Sequence, residues 1–140
     1  MQERTEIMFL GIFIWRRIMA VMELVEKTFE STIAGNDFVI VDFWAPWCGP
    51  CRSFAPTYEK VSDEFPDIIF AKVNTEDEQA IGAKFQIRSI PTLMIMRENV
   101  ILYKEAGALP ESAFRELVTK ASELDMTEVH KEIADNSNTT

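Results

Sequence analysis

The first half of the chain alternates between helical and strand-like hydrophobic patterns. Apolar residues recur every four positions at Val25, Phe29 and Ile33, which predicts a helix over residues 25–34. Residues 38–44 then form an apolar run interrupted only by Asp42. Such a run is typical of a strand buried on both faces, as in the middle of a sheet with helices on either side.

Residues 48–65 carry the next helical pattern. Four positions spaced by three or four residues form its inward face, namely Phe54, Tyr58, Val61 and Phe65. Pro50 falls in the first turn, where proline is tolerated, and Pro66 ends the segment. We expect a kink at Pro56, because its ring removes a backbone donor and clashes with the preceding turn.

The following segments predict three strands and a short helix. Strands are expected over residues 68–73, 92–96 and 100–104, with the short helix over 77–85. The last two strands are so close in sequence that they must form an antiparallel hairpin. Asn99 lies in its turn, where a left-handed conformation is needed and asparagine tolerates it.

The C-terminal part is expected to be helical. Pro110 is predicted at the first position of a helix whose core-facing residues are Phe114, Leu117, Val118 and Ala121. The helical spacing of Met126, Val129 and Ile133 indicates one further short helix. The element order α-β-α-β-α-β-β-α predicts an α/β fold with a central mixed sheet flanked by helices.

The chain has 140 residues, enough for one compact domain with a hydrophobic core. We expect a domain at residues 22–122, preceded by an apolar extension at 1–21 and followed by a helical extension and tail at 123–140. The formal net charge of −9 repels phosphate backbones, so nucleic acid is not an expected partner. The composition favours an acidic protein, which we expect to be a monomer in the cytoplasm.

Residues 7–15 near the N-terminus carry no charge. This stretch is too short for a membrane-spanning helix, which needs about 20 residues, so no stable span is expected. Acidic residues outnumber basic ones before it, and no small-residue cleavage pattern follows, which does not favour a secretory signal. An interfacial anchor with Arg16 and Arg17 at the headgroups is an alternative. The favoured interpretation is an extension without a redox role, upstream of a natural start at Met22.

The two cysteines, Cys48 and Cys51, lie at the start of a predicted helix, directly after the predicted buried strand. Two cysteines at this spacing can close a disulfide, and the first lies beside unpaired backbone N–H groups and the positive end of the helix dipole. Both effects favour the thiolate, which is the nucleophile in disulfide exchange. The pair therefore indicates redox chemistry, with Cys48 as the candidate attacking thiol.

Two structural alternatives for the cysteine pair are weaker. A structural zinc site needs four ligands, and beyond the two cysteines the chain offers one further soft ligand, His130, so no metal is expected. Buried bystander thiols are disfavoured because Gly49 and Pro50 are poor choices for a helix that only packs.

Three segments resemble the thioredoxin family. The motif Trp-Cys-Gly-Pro-Cys at 47–51 carries the most specific likeness, extended by the residues before it from Val41. Ser-Ile-Pro-Thr at 89–92 and Ala-Gly-Ala-Leu at 106–109 add to it, so the resemblance covers roughly residues 22–122. It implies the thioredoxin fold and a dithiol enzyme that reduces protein disulfides. It also implies no bound cofactor, with electrons supplied by an NADPH-dependent thioredoxin reductase.

The resemblance also implies roles for individual residues. Asp42 would be a buried carboxylate whose pKa is raised by desolvation and which exchanges protons with Cys51. Lys72 would lie near this acid, and Pro91 would be a cis-proline facing the disulfide. The alternatives are a hydrogen-bonded core aspartate, a solvated lysine at a strand end and an ordinary proline at the start of a strand.

An apolar surface around Cys48 would receive extended substrates. The resemblance assigns it the residues Trp44, Pro46, Trp47, Ile90 and Gly107. Gly49 and Pro50, between the cysteines, favour a reductant by the same resemblance. Two other functions stay open: an oxidising or isomerising enzyme on the same fold, and a partner-binding or chaperone module in which the dithiol is incidental.

Overall fold

The structure is a computed structural model that describes residues 21–138. The predictions made for residues 1–20 and for the last two residues of the tail lie outside this range. In the described part of the chain, no helix is both long and apolar enough to cross a membrane.

The described residues form a five-stranded mixed sheet with helices on both faces. The strands are β1 (Val21–Glu23), β2 (Phe38–Trp44), β3 (Ile69–Asn74), β4 (Thr92–Arg97) and β5 (Val100–Ala106). The helices are α1 (Glu26–Gly35), α2 (Gly49–Glu64), α3 (Gln79–Lys84), α4 (Glu111–Glu123) and α5 (Met126–Ser137). The sheet order is β1-β3-β2-β4-β5, with β1, β3 and β2 parallel and with β4 antiparallel to both β2 and β5. The predicted α/β architecture with a mixed sheet is confirmed.

Strand β1 was not predicted from the sequence. Val21 pairs with Phe70 and Met22 with Ala71, so the described part of the sheet includes Val21 as well as the expected first residue, Met22. The strand has three residues, too few to show a strand periodicity. Its burial is partial, and among the described strands β1 lies at the edge of the sheet, next to β3.

Pro110 lies one position earlier relative to its helix than expected, and Pro56 lies inside a helix, as expected. Pro110 has extended backbone angles and is the N-cap of α4, so the helix begins one residue later, at Glu111. A proline residue suits either position, since both lack an intrahelical partner for the N–H. Pro56 lies inside α2, and the helix continues beyond it to Glu64.

The core has two layers, one on each face of the sheet, because successive residues of β2 point to opposite sides. One layer packs α1 and α3 against Val39, Val41 and Phe43. The other packs α2 and α4 against Ile40, and it contains four aromatic side chains in mutual contact, Phe54, Tyr58, Phe70 and Phe114. The central strand is therefore buried on both faces, as its apolar run predicted.

The β4–β5 hairpin anchors the C-terminal helices. Asn99 has a φ of 65°, as expected, and Glu98 is also left-handed with a φ of 50°. Arg97 donates hydrogen bonds to the carbonyl oxygens of Ala121 and Leu124 at 3.0 Å each, at the end of α4. Helix α5 follows, confirming the further helix, with Met126 buried at its start.

The extent of β1 predicts where the chain can be shortened. A chain that starts at Met19 keeps all of β1 and should melt at the temperature of the full-length protein. A chain that starts at Leu24 loses the three residue pairs between β1 and β3 and should melt several degrees lower. Thermal unfolding followed by circular dichroism measures both. Equal melting temperatures for the two shortened chains would show that β1 contributes nothing, and a lower value for the Met19 chain would place residues 1–18 in the folded domain.

Candidate redox active site

Cys48 is the N-cap of α2, directly after the loop that follows β2. It has extended backbone angles, its N–H donates to the Ala45 carbonyl, and its own carbonyl accepts from Arg52. Its Sγ accepts a hydrogen bond from the backbone N–H of Cys51 at 3.3 Å. The sulfur thus occupies the place where a capping oxygen usually stands, at the positive end of a helix of 16 residues.

Cys48 and Cys51 form a disulfide, with 5.3 Å between their Cα atoms. Cys48 is 5% exposed and Cys51 is 2% exposed, so the pair lies in a shallow site with Cys51 on the inner side. Both pack with Ala45, and Trp44 and Ile90 cover the cluster. Gly49 and Pro50, between them, occupy the first turn of α2, and a Cβ added to Gly49 would meet no atom within 4 Å.

The loop before β4 lies against the disulfide. The Ile90–Pro91 peptide bond is cis, as expected, and the Ile90 carbonyl oxygen lies 3.8 Å from Cys48 Sγ. Gly107 donates its N–H to the Pro91 carbonyl at 2.8 Å, with a φ of 113° that favours glycine. The 90–91 loop therefore contacts Cys48 at the start of α2, and Gly107, after β5, contacts that loop.

Two tryptophans flank the site in different ways. Trp47 is 70% exposed, whereas Trp44 is half-buried. The backbone carbonyl of Trp44 accepts hydrogen bonds from the N–H and the hydroxyl group of Thr75. The Lys72 ammonium group lies 5.0 Å from the centre of the Trp44 ring. The structure thus brings the predicted apolar residues and Lys72 to one end of the sheet.

Asp42 is 4% exposed in the middle of β2, opposite Lys72 of β3 and Leu93 of β4. Its Oδ1 is buried, and no hydrogen bond to it is found among the described residues. Burial raises the pKa of Asp42 from 3.8 to about 7, against the opposing effect of the Lys72 charge.

Two residues near the site were not singled out from the sequence. Thr75 holds Trp44, as described above, and Tyr58 places a hydroxyl group under the central strands. Tyr58 was identified only as a core position, although a buried tyrosine usually needs a hydrogen-bond partner for its hydroxyl group. In residues 21–138, no group of three or more His, Cys, Asp and Glu side chains is arranged to hold a metal ion.

A comparison with protein families matches residues 20–120 to the thioredoxin model, which is more than half of the chain. A Streptomyces coelicolor protein provisionally named thioredoxin 2 is 47% identical over 114 residues, covering 81% of this chain and 85% of the relative. The chain belongs to the thioredoxin family. Thioredoxin from Haemophilus influenzae is 35% identical over 102 residues, covering 71% of this chain and 95% of that protein.

Solved thioredoxin structures share the fold. A mutant thioredoxin from Halobacterium salinarum superposes with a TM-score of 0.69 at 27% identity, covering 75% of this chain and 93% of that one. Thioredoxin f from spinach chloroplasts gives a TM-score of 0.68 at 30% identity, covering 74% of this chain and 94% of that one. The predicted thioredoxin fold is confirmed, and the protein is a thiol-disulfide oxidoreductase that reduces protein disulfides.

The raised pKa of Asp42 predicts an unusual dependence of stability on pH. Between pH 3.8 and about 7 the folded protein holds a proton that the unfolded chain has released. The free energy of unfolding should therefore fall as the pH rises through this range, by up to about 4 kcal/mol for a shift of about three units. Asp42→Asn cannot ionise, so it should be more stable than the wild type at pH 8 and close to it at pH 4.

Denaturant unfolding of the disulfide form across this pH range measures the effect. Asp67→Asn, at an exposed position after α2, is the matched control and should follow the wild-type curve. If Asp42→Asn changed the free energy of unfolding by the same amount at every pH, Asp42 would have the same pKa in the folded and unfolded protein, which would contradict its raised pKa.

Proposed function

We propose that Cys48 is the attacking thiol of this reductase and that Cys51 resolves the mixed disulfide. The observation that carries this assignment is the hydrogen bond from the Cys51 N–H to Cys48 Sγ at the N-terminus of α2. Both this bond and the helix dipole stabilise a thiolate on Cys48, which lowers its pKa and raises its reactive fraction. Cys51 is the less exposed of the two and suits attack on its neighbour.

The reaction then takes place in two exchanges. The Cys48 thiolate attacks one sulfur of a substrate disulfide, forming a mixed disulfide and releasing the other substrate sulfur as a thiolate. The Cys51 thiolate next attacks Cys48 Sγ, which closes the Cys48–Cys51 disulfide and releases the second substrate sulfur. The substrate gains two electrons and, with two protons, leaves as a dithiol, while the enzyme loses the same two electrons.

Asp42 is the proposed base for the second exchange. Its raised pKa of about 7 means that it accepts a proton from Cys51 near neutral pH and returns it later to solvent or product. The positive charge of Lys72 lowers the pKa of Asp42 and so offsets part of the increase that burial causes. Part of the Asp42 population is therefore ionised at neutral pH.

The substrate segment is proposed to bind across the apolar residues beside Cys48. The exposed ring of Trp47 and the half-buried Trp44 and Ile90 offer contact area to an extended chain. Pro91 lacks an N–H, and the main chain around it and Gly107 is proposed to pair with the substrate backbone. Gly49 and Pro50 are proposed to support the first turn of α2 without contributing side chains to the reaction.

The disulfide left on the enzyme must be reduced again by two electrons. We propose an NADPH-dependent thioredoxin reductase as the donor, so that the protein carries electrons between NADPH and disulfide-containing proteins. A cytoplasmic location and a monomeric state are proposed with it, supported by the resemblance to thioredoxins and by the acidic net charge of −9.

Substitution of each cysteine separates the two proposed roles. Cys51→Ser retains the attacking thiol and should accumulate a stable mixed disulfide with a protein substrate, whereas Cys48→Ser should show neither turnover nor trapping. Non-reducing electrophoresis followed by mass spectrometry measures the adduct, with the double serine variant as the control. Equal trapping by the two single variants would contradict the assignment of roles.

An insulin-reduction assay tests the electron donor. With NADPH and a thioredoxin reductase, the wild-type protein should reduce insulin disulfides at a rate proportional to its concentration, with NADPH consumed in equal measure. The Cys48→Ser variant should give the background rate. The protein could instead reduce insulin with dithiothreitol but not with NADPH and thioredoxin reductases from several sources. That result would argue for a different electron donor.

A further inference from the structure

Tyr58 lies in the core layer that packs α2 and α4 against the sheet. Among the described residues, it is the one side chain of this layer whose hydroxyl group contacts the central strands. Its ring is fully buried and stacks on Phe114, with ring centres 5.6 Å apart. Its hydroxyl lies 3.0 Å from the carbonyl oxygen of Ile40 in β2 and 2.6 Å from that of Ala71 in β3, and it is placed to donate to both. The single hydroxyl proton is thus shared between two neighbouring strands.

This hydroxyl is close to the buried acid. Ile40 lies two residues before Asp42 on the same strand, and alternate residues share a face of the sheet at a spacing of roughly 7 Å. Ala71 directly precedes Lys72, the residue opposite Asp42. Burial first, and then the charge of Asp42, raise the pKa of Tyr58 above its usual range, so the tyrosine remains protonated.

We propose that Tyr58 is a positioning residue for Asp42. The hydroxyl proton of Tyr58 offsets the negative ends of the Ile40 and Ala71 carbonyl dipoles, on the two strands that carry Asp42 and Lys72. The inference rests on the role proposed for Asp42 in resolving the mixed disulfide. Removing the hydroxyl takes away the proton donated to both carbonyl oxygens and makes the surroundings of the buried acid more apolar. Both changes disfavour the carboxylate, and both therefore raise the pKa of Asp42.

The groups that face Asp42 come from three elements. Lys72 on β3 supplies a positive charge, and α2 supplies Tyr58. Strand β4 places the uncharged Leu93 opposite the acid. In the disulfide form the thiols do not titrate, so a titration of Asp42 in that form is not coupled to the proton of a cysteine.

The test is Tyr58→Phe, which removes the hydroxyl and keeps the ring. NMR titration of the Asp42 carboxyl carbon in the disulfide form should show its pKa raised by roughly half a unit relative to the wild type. In the reduced enzyme, resolution of the mixed disulfide should slow about threefold at pH values below this pKa and recover the wild-type rate at alkaline pH. Tyr103→Phe, at the other tyrosine of the chain, should leave both measurements unchanged.

A double variant separates this inference from the role of Asp42. With Asp42→Asn present, Tyr58→Phe should no longer alter the pH profile, whatever its effect on stability. If Asp42 has the same pKa in Tyr58→Phe as in the wild type, the role of Tyr58 is overturned. This holds even if Asp42→Asn slows resolution of the mixed disulfide. Resolution at the wild-type rate in Asp42→Asn would instead overturn the catalytic role of Asp42, while the titration would still decide whether Tyr58 sets its pKa.

Discussion

Burial of a carboxyl group in the middle strand of the sheet is the constraint on which the proposed reaction depends. Asp42 occupies a position between two apolar core layers, where an ionised group costs free energy and a neutral one costs less. A surface aspartate would be ionised at every physiological pH and would be a weak base. The apolar surroundings that destabilise the fold at neutral pH thus give Asp42 a pKa at which a proton can move in either direction.

The core layer that packs α2 and α4 against the sheet also supports the two thiols. Helix α2 packs on the sheet through the aromatic cluster that contains Phe54 and Tyr58, and this packing fixes the position of its first turn. Cys48 lies at the N-cap, where backbone N–H groups are free to bind a thiolate, while Cys51 lies one turn further in. One rigid helix therefore gives two chemically identical side chains different environments, which the two successive exchanges require.

Much of this arrangement could be predicted from the sequence. The apolar run of β2 with its single carboxyl group predicted a buried strand, and Trp-Cys-Gly-Pro-Cys at the start of a helix predicted the redox pair. The cis bond before Pro91 followed from the resemblance, since most prolines are trans and local sequence does not reveal the exception. Strand β1 could not be predicted, because three residues show no periodicity and it is held by pairing with a distant strand.

Tyr58 shows why hydrophobic patterns locate a core residue without revealing its second function. Its position in the helical repeat required only a large apolar side chain, which phenylalanine would also supply. The partners of its hydroxyl group are the carbonyl groups of residues 13 and 18 positions away, which come together only after β2 and β3 have paired. Electrostatic roles of this kind depend on tertiary distances, so a buried tyrosine near a buried acid must be judged from its partners in the fold.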